Sequence, residues 1–249
     1  MFTSKKFISS LFKNSNNRRI SSFNSIYKTS SLFKTQKFNY SLLKDSQFLD
    51  EDQVSIQETA YTFAKNELLP NSHQWDLEQH FPVETFRKAA ELGLSAIYTS
   101  EEVGGSGLGR LDASLIFEGL ATGDVAFSAY LSIHNMCLFM VDSFANEEQK
   151  KLWIPDWLTM ERLTSYCLTE PNSGSDAGAM KTTAVEKGDD FIINGTKCFI
   201  SGAGVSEDYL LMCKTGEKEV SCIKVDKSCK GLSFGAKEKK VSFKLFVIF

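Results

Sequence analysis

The chain has 249 residues, 42% hydrophobic and 24% charged, the composition of an ordinary globular protein with room for one large core or two modest ones. Residues 1–44 hold nine Lys or Arg and no acid, so the other 19 basic residues face all 31 acidic ones. A body near −12 argues against nucleic acid as the natural partner.

The basic leader contains ten serines among scattered Phe, Leu and Ile, with no apolar run long enough for a signal-peptide core or a membrane helix. It reads as a mitochondrial transit segment, which places the mature protein in the matrix; a disordered basic arm is the alternative. The six cysteines, at 137, 167, 198, 213, 222 and 229, form neither a CxxC pair nor a zinc-like spacing with histidine. They are expected as free thiols, and no metal site is assigned.

From about 45 to 162 the pattern is helical. Leu49-Asp-Glu-Asp-Gln opens a helix that puts Val54, Ala60 or Tyr61, Ala64 and Leu68 near one face and stops at Pro70. His73 and His80, seven apart, could share a helix face but lack a third ligand. Pro82 precedes a second helix over 83–92, ended by Gly93. GGSGLG at 104–109 has no βαβ context and reads as a loop between helices, not a dinucleotide site. Helices follow over 111–120, 126–144 and Glu147–Leu158, where Pro155 could kink or end the last. The apolar run 125–144 contains Ser, His, Asn and Asp, so a buried helix is expected there, with His134 a satisfied core histidine.

From Tyr166 the period changes to strands. Runs at 182–186, 191–193 and 197–201 are joined by Gly188-Asp189 and Asn194-Gly195, which predicts a β-meander; further strands are expected at 209–214 and 220–225. Ahead of the meander, YCLTEPNSGSDAGA at 166–179 is rich in small hydroxyls and free N–H groups, with Gly174 allowing close backbone approach. Such a loop suits phosphates and polar ring edges. Ser175 is not a nucleophile elbow, because Ser173 stands where that motif needs glycine. Glu170 and Asp176 are expected to hold the loop by hydrogen bonds or ion pairs. Lys237 to Lys240 reads as a solvated turn.

The segment CLTEPNSGSDAGA at 167–179 resembles the first signature of the acyl-CoA dehydrogenase family, and IINGTKCFIS at 192–201 resembles its second flavin segment. The resemblance covers residues 45–241, with Asn172 a mild departure. SIHNMC at 132–137, FISGAG at 199–204 and GLSFGAKEKK at 231–240 are most similar to the isobutyryl-CoA branch of that family.

The resemblance implies an α+β fold in three parts, an N-terminal all-helical domain (45–162), an incomplete middle β-domain (163–241), and a C-terminal helical domain that is missing here. The last residues, 242–249, form an aberrant apolar tail of the aggregation-prone type. The implied reaction is FAD-dependent α,β-dehydrogenation of a short branched-chain acyl-CoA, isobutyryl-CoA in valine breakdown, with electrons passed to electron-transfer flavoprotein. A non-catalytic fragment that binds flavin or a paralogue is the alternative. Carried over by position, Tyr166, Cys167, Leu168 and Thr169 would lie along the flavin ring, Gly174 and Ser175 would approach the FAD pyrophosphate, and Ser175 would also meet the acyl-CoA. Phe199, Ile200 and Ser201 would close the other side. No catalytic residue is assigned, because the family's carboxylate base lies in the later domain. The family's homotetramer is expected to depend on that domain as well.

Overall fold

The computed structural model describes residues 49–188, 190–217, 219–235 and, as backbone only, 246–247. The basic leader, Lys237 to Lys240 and the apolar tail apart from Phe246–Val247 lie outside the described residues.

Helix α1, Glu51–Phe63, starts where Asp50 accepts the Gln53 N–H at 2.8 Å and Gln53 Oε1 accepts the Asp50 N–H at 3.2 Å, a reciprocal cap that satisfies two otherwise orphaned donors. It widens into a π-helical turn at Ala64–Leu68, where the Leu69 N–H reaches back to the Ala64 carbonyl at 2.8 Å. That turn seats a neighbouring glycine, since a Cβ on Gly123 would stand 2.7 Å from the Ala64 carbonyl oxygen and 2.8 Å from Leu68 Cβ.

Helix α2, Ser72–Glu78, was not foreseen from the sequence because it buries none of its residues and so carries no periodic apolar signal. It ends at Gln79, left-handed at φ 54°, so His80 leaves the helix and shares no helical face with His73. Helices α3, Val83–Glu91, and α4, Arg110–Ala121, follow, and Gly119 lets α4 approach α1 so closely that a Cβ would sit 2.8 Å from Ala60 Cβ. The loop at 104–109 joins elements of the helical layer, as its glycines foretell.

Helix α5, Val125–Phe144, is capped by Asp124 and is apolar enough to cross a membrane by length and composition. It serves as a core helix instead, burying Phe127, Tyr130, Leu131, His134, Asn135 and Leu138. Phe127 stacks on Phe86 at 4.0 Å between ring centroids, and Tyr130 meets Phe81 edge-on at 4.7 Å. Helix α6, Glu147–Leu158, has the bounds expected from the sequence and runs unbroken through Pro155.

The strands are β1, Thr164–Cys167; β2, Thr183–Lys187; β3, Asp190–Asn194; β4, Ile200–Ser201; β5, Asp208–Lys214; β6, Val220–Asp226; and β7, Phe246–Val247. They do not form a meander. β5 is the hub of a mixed sheet, parallel to β1 from Thr164↔Asp208 to Cys167↔Leu211, antiparallel to β6, and touching β2 at Lys214↔Thr183. β2 and β3 form the expected antiparallel hairpin, with Lys187↔Asp190 the pair nearest the turn. Asn194-Gly195 does not turn the chain into one. A Cβ on Gly195 would lie 2.2 Å from Thr182 Oγ1, so this glycine lets the chain pass under Thr182. The strand expected over 197–201 shrinks to β4, because Phe199 takes a left-handed φ of 59° and breaks the ladder; β4 pairs with β7 in a separate two-stranded sheet.

The helical layer and the sheet are pinned by buried polar groups. Thr164 of β1 donates its N–H to His134 Nδ1 at 3.2 Å, which makes Nδ1 the acceptor and leaves the proton on Nε2, 2.9 Å from the Trp157 carbonyl it serves. Burial holds this imidazole down at about 4, so it stays neutral. His134 is a core histidine. Asp208 on β5 accepts from Trp157 Nε1 of α6 at 2.8 Å and from Arg162 through two nitrogens at 2.8 Å each, with Lys224 of β6 2.6 Å away.

Candidate functional site

The two singled-out segments meet at the end of β1. Beyond Cys167 the chain leaves the sheet, and Glu170 to Ser173 closes a tight turn in which Glu170 N–H donates to the Ser173 carbonyl at 2.9 Å and Ser173 N–H returns the bond at 3.1 Å. Pro171, second in the turn, supplies the fixed φ that such a position favours. The later segment passes alongside, and the Cys198 N–H donates to the Thr169 carbonyl at 2.8 Å. Thr169 and Phe199 are thereby brought to one place.

Glu170 and Lys197 make that junction rigid. Lys197 is 1% exposed and donates from Nζ to the Leu168 carbonyl at 2.9 Å and to Glu170 Oε1 at 2.8 Å. The same carboxylate accepts the Lys181 N–H at 2.6 Å and the Thr182 N–H at 3.0 Å. Burial favours the neutral acid, but the Lys197 ammonium and these N–H groups outweigh it and hold the carboxyl at about 2. Glu170 is fully engaged in structure and is not free to accept a substrate proton. Lys197 escaped the sequence reading; the signal was a lone lysine within an otherwise uncharged Gly-Thr-Lys-Cys-Phe-Ile-Ser run, which has to be paired if buried.

The predicted flavin residues divide by what they present. Tyr166, Leu168 and Thr169 are half-buried, and Tyr166 packs on the cluster of Cys137, Leu138 and Trp157. Cys167 is wholly buried with Tyr209 and Leu211, and burial pushes its thiol well up, so only its peptide groups remain to meet a ligand. Ile200 and Ser201 are buried too, and the Ser201 carbonyl accepts the Ser165 hydroxyl at 2.6 Å. Gly174 and Ser175 lie exposed beyond the turn, where a Cβ on Gly174 would meet nothing within 4 Å, while the Ser173 hydroxyl is taken up by the Asp176 carbonyl at 2.7 Å.

Phe199 stands out among them. It is 52% exposed and left-handed, a combination that a bulky aromatic adopts only under constraint. The next residue, Ile200, is in the core, so the strained φ turns the ring outward while its neighbours stay buried. Outside ring, half-buried threonine and open glycine fit a flat heteroaromatic group with a phosphate tail. Two clefts of about 660 and 430 Å³ lie in the helical layer, the larger between α4 and α5 beside Tyr98, Phe117, Ser128 and Ser132, the smaller beside His73 and His80. None of the predicted flavin residues lines either cleft, and cavity size is a poorer guide here than the meeting of the two motifs. No group of three metal-ligating side chains occurs among the described residues.

Residues 50–161 match the acyl-CoA dehydrogenase N-terminal domain, and residues 165–245 match the acyl-CoA dehydrogenase middle domain. The chain belongs to the acyl-CoA dehydrogenase family. As such it shares the family's order of helical domain then β-sheet domain. It is 49% identical over 206 residues to a mitochondrial isobutyryl-CoA dehydrogenase of Bos taurus, which covers 82% of this chain and 50% of the relative. Another mitochondrial isobutyryl-CoA dehydrogenase, from Dictyostelium discoideum, is 46% identical over 241 residues, 95% of this chain and 57% of the relative. The acyl-CoA dehydrogenase chain described here thus spans about half the length of these curated relatives. Among solved structures, a glutaryl-CoA dehydrogenase of Mycobacterium smegmatis in complex with FADH2 superposes with a TM-score of 0.76 at 26% identity, over 80% of this chain and 52% of that one.

Proposed function

We propose that this chain carries the flavin-binding part of a mitochondrial, FAD-dependent dehydrogenase that desaturates a short branched-chain acyl-CoA, isobutyryl-CoA, at its α,β bond. The observation that carries the reading is the Cys198-to-Thr169 hydrogen bond at 2.8 Å, which sets the strained, outward Phe199 beside Thr169. Bound FAD supplies the hydride-accepting chemistry that no side chain can.

The residues divide the work of binding. Phe199 offers a ring face for stacking, Thr169 a hydroxyl for the edge of the flavin, and Tyr166 and Leu168 apolar contact along it. Gly174 and Ser175 present unobstructed backbone and a hydroxyl to the pyrophosphate and the acyl-CoA. Cys167, Ile200 and Ser201 contribute through peptide groups and through the wall they build. We assign no general base within these residues, since Glu170 is held ionised by Lys197 and two backbone N–H groups. The acyl preference rests on the relatives and on the helix carrying Ser132, whose exposed side borders the larger cleft. Transfer of electrons to electron-transfer flavoprotein, a matrix location and a homotetramer complete the proposal.

The test is FAD uptake by the purified chain after desalting, followed by turnover of isobutyryl-CoA, 2-methylbutyryl-CoA and butyryl-CoA by a protein that also carries the C-terminal domain. Retained flavin absorbance and preference for isobutyryl-CoA are expected. Preference for the straight chain would refute the substrate assignment.

A further inference from the structure

We propose that Lys197 and Glu170 form a positioning pair that sets the distance between the two flavin-contacting segments, an inference that rests on the flavin reading above. The pair is buried on both sides, with side chains 1% and 6% exposed. Its contacts are distributed in a particular way. Lys197 binds the residue before Thr169 through the Leu168 carbonyl and the residue after it through the Glu170 carboxylate, at 2.9 and 2.8 Å. Two residues along its own segment stands Phe199. Between them Cys198 donates to Thr169 itself at 2.8 Å. Thr169 is therefore bracketed on both sides by one ammonium, and Phe199 is tied to the same anchor.

Glu170 adds the third segment. It takes the N–H groups of Lys181 and Thr182, which lead into β2, so the turn at 170–173 cannot swing away from the sheet while the carboxylate is charged. A pair meant only for stability could be replaced at little cost by apolar groups of similar volume. A pair that fixes geometry could not, because its directed bonds to Leu168 and to the two N–H groups are what place the ligand contacts. Neither residue touches the flavin in this account; both act through Thr169 and Phe199.

The test compares the wild-type chain with Lys197→Met and with the double variant E170Q/K197M, reading thermal midpoint, amide exchange at Cys198, Lys181 and Thr182, FAD affinity, and the shape of the bound flavin's visible absorption. Lys197→Met should lose stability, since it strands a buried carboxylate. The double variant should regain the wild-type midpoint while Cys198 exchanges faster, FAD binds roughly tenfold more weakly and the visible band changes shape. A double variant that binds FAD with wild-type affinity and an unchanged band overturns the positioning role and leaves the flavin reading intact. A folded wild type that takes up no FAD overturns the flavin reading, and the positioning role with it.

Discussion

At Phe199 a left-handed backbone costs about 1–2 kcal/mol for an L-residue, and a ring 52% exposed recovers little by burial. Replacing it with glycine relieves the strain while adding chain entropy to the unfolded state, so Phe199→Gly is expected to leave stability within about 1 kcal/mol of wild type. Flavin affinity should fall about tenfold in the same protein, as measured by FAD titration. A large loss of stability would instead make the ring a structural anchor. His134 gives a second residue-scale expectation. Its folded value near 4 lies below the ordinary 6.5, so its contribution is complete above pH 6.5 and is lost as the pH falls toward 4, at most about 3 kcal/mol. Melting temperature against pH should show this fall, and His134→Gln should flatten it. Glu170, held at about 2 against an ordinary 4.5, loses its share only below pH 4.5.

Between elements, Asp208 is the central tie, joining α6 through Trp157, the linker through Arg162 and β6 through Lys224. Asp208→Ala leaves two cations and an indole N–H without their shared acceptor and should cost about 3 kcal/mol in urea unfolding, whereas removal of the exposed Glu84–Arg87 pair should cost less than about 1 kcal/mol. The helices with a buried stripe were legible in the sequence because burial repeats along them; α2 was not, since it buries nothing. Pro155 left open a kink or an end because proline removes an intrahelical bond, yet α6 keeps its expected bounds through it. Asn194-Gly195 looked like a hairpin because that pair favours a tight turn, yet its glycine is required by the close pass of Thr182. Local chemistry offered both outcomes there, and tertiary packing chose.

Over the whole molecule, two segments whose meeting residues, Thr169 and Cys198, lie 29 positions apart in sequence converge at the end of β1, and the parallel β1–β5 pairing is what carries the first of them there. That convergence could not be read from spacing alone. The motifs named the residues, but not that Cys167 and Ile200 face the core while Phe199 faces out, nor that Lys197 locks the junction. On the proposed reading, the flavin would meet an aromatic face, a threonine edge and an open glycine turn held by a buried ion pair. The most direct test is equilibrium titration of the purified, folded chain with FAD, alongside Thr169→Val. The account predicts stoichiometric uptake with a perturbed visible band, weakened in the variant; a folded wild-type chain that stays colourless with added FAD would contradict it.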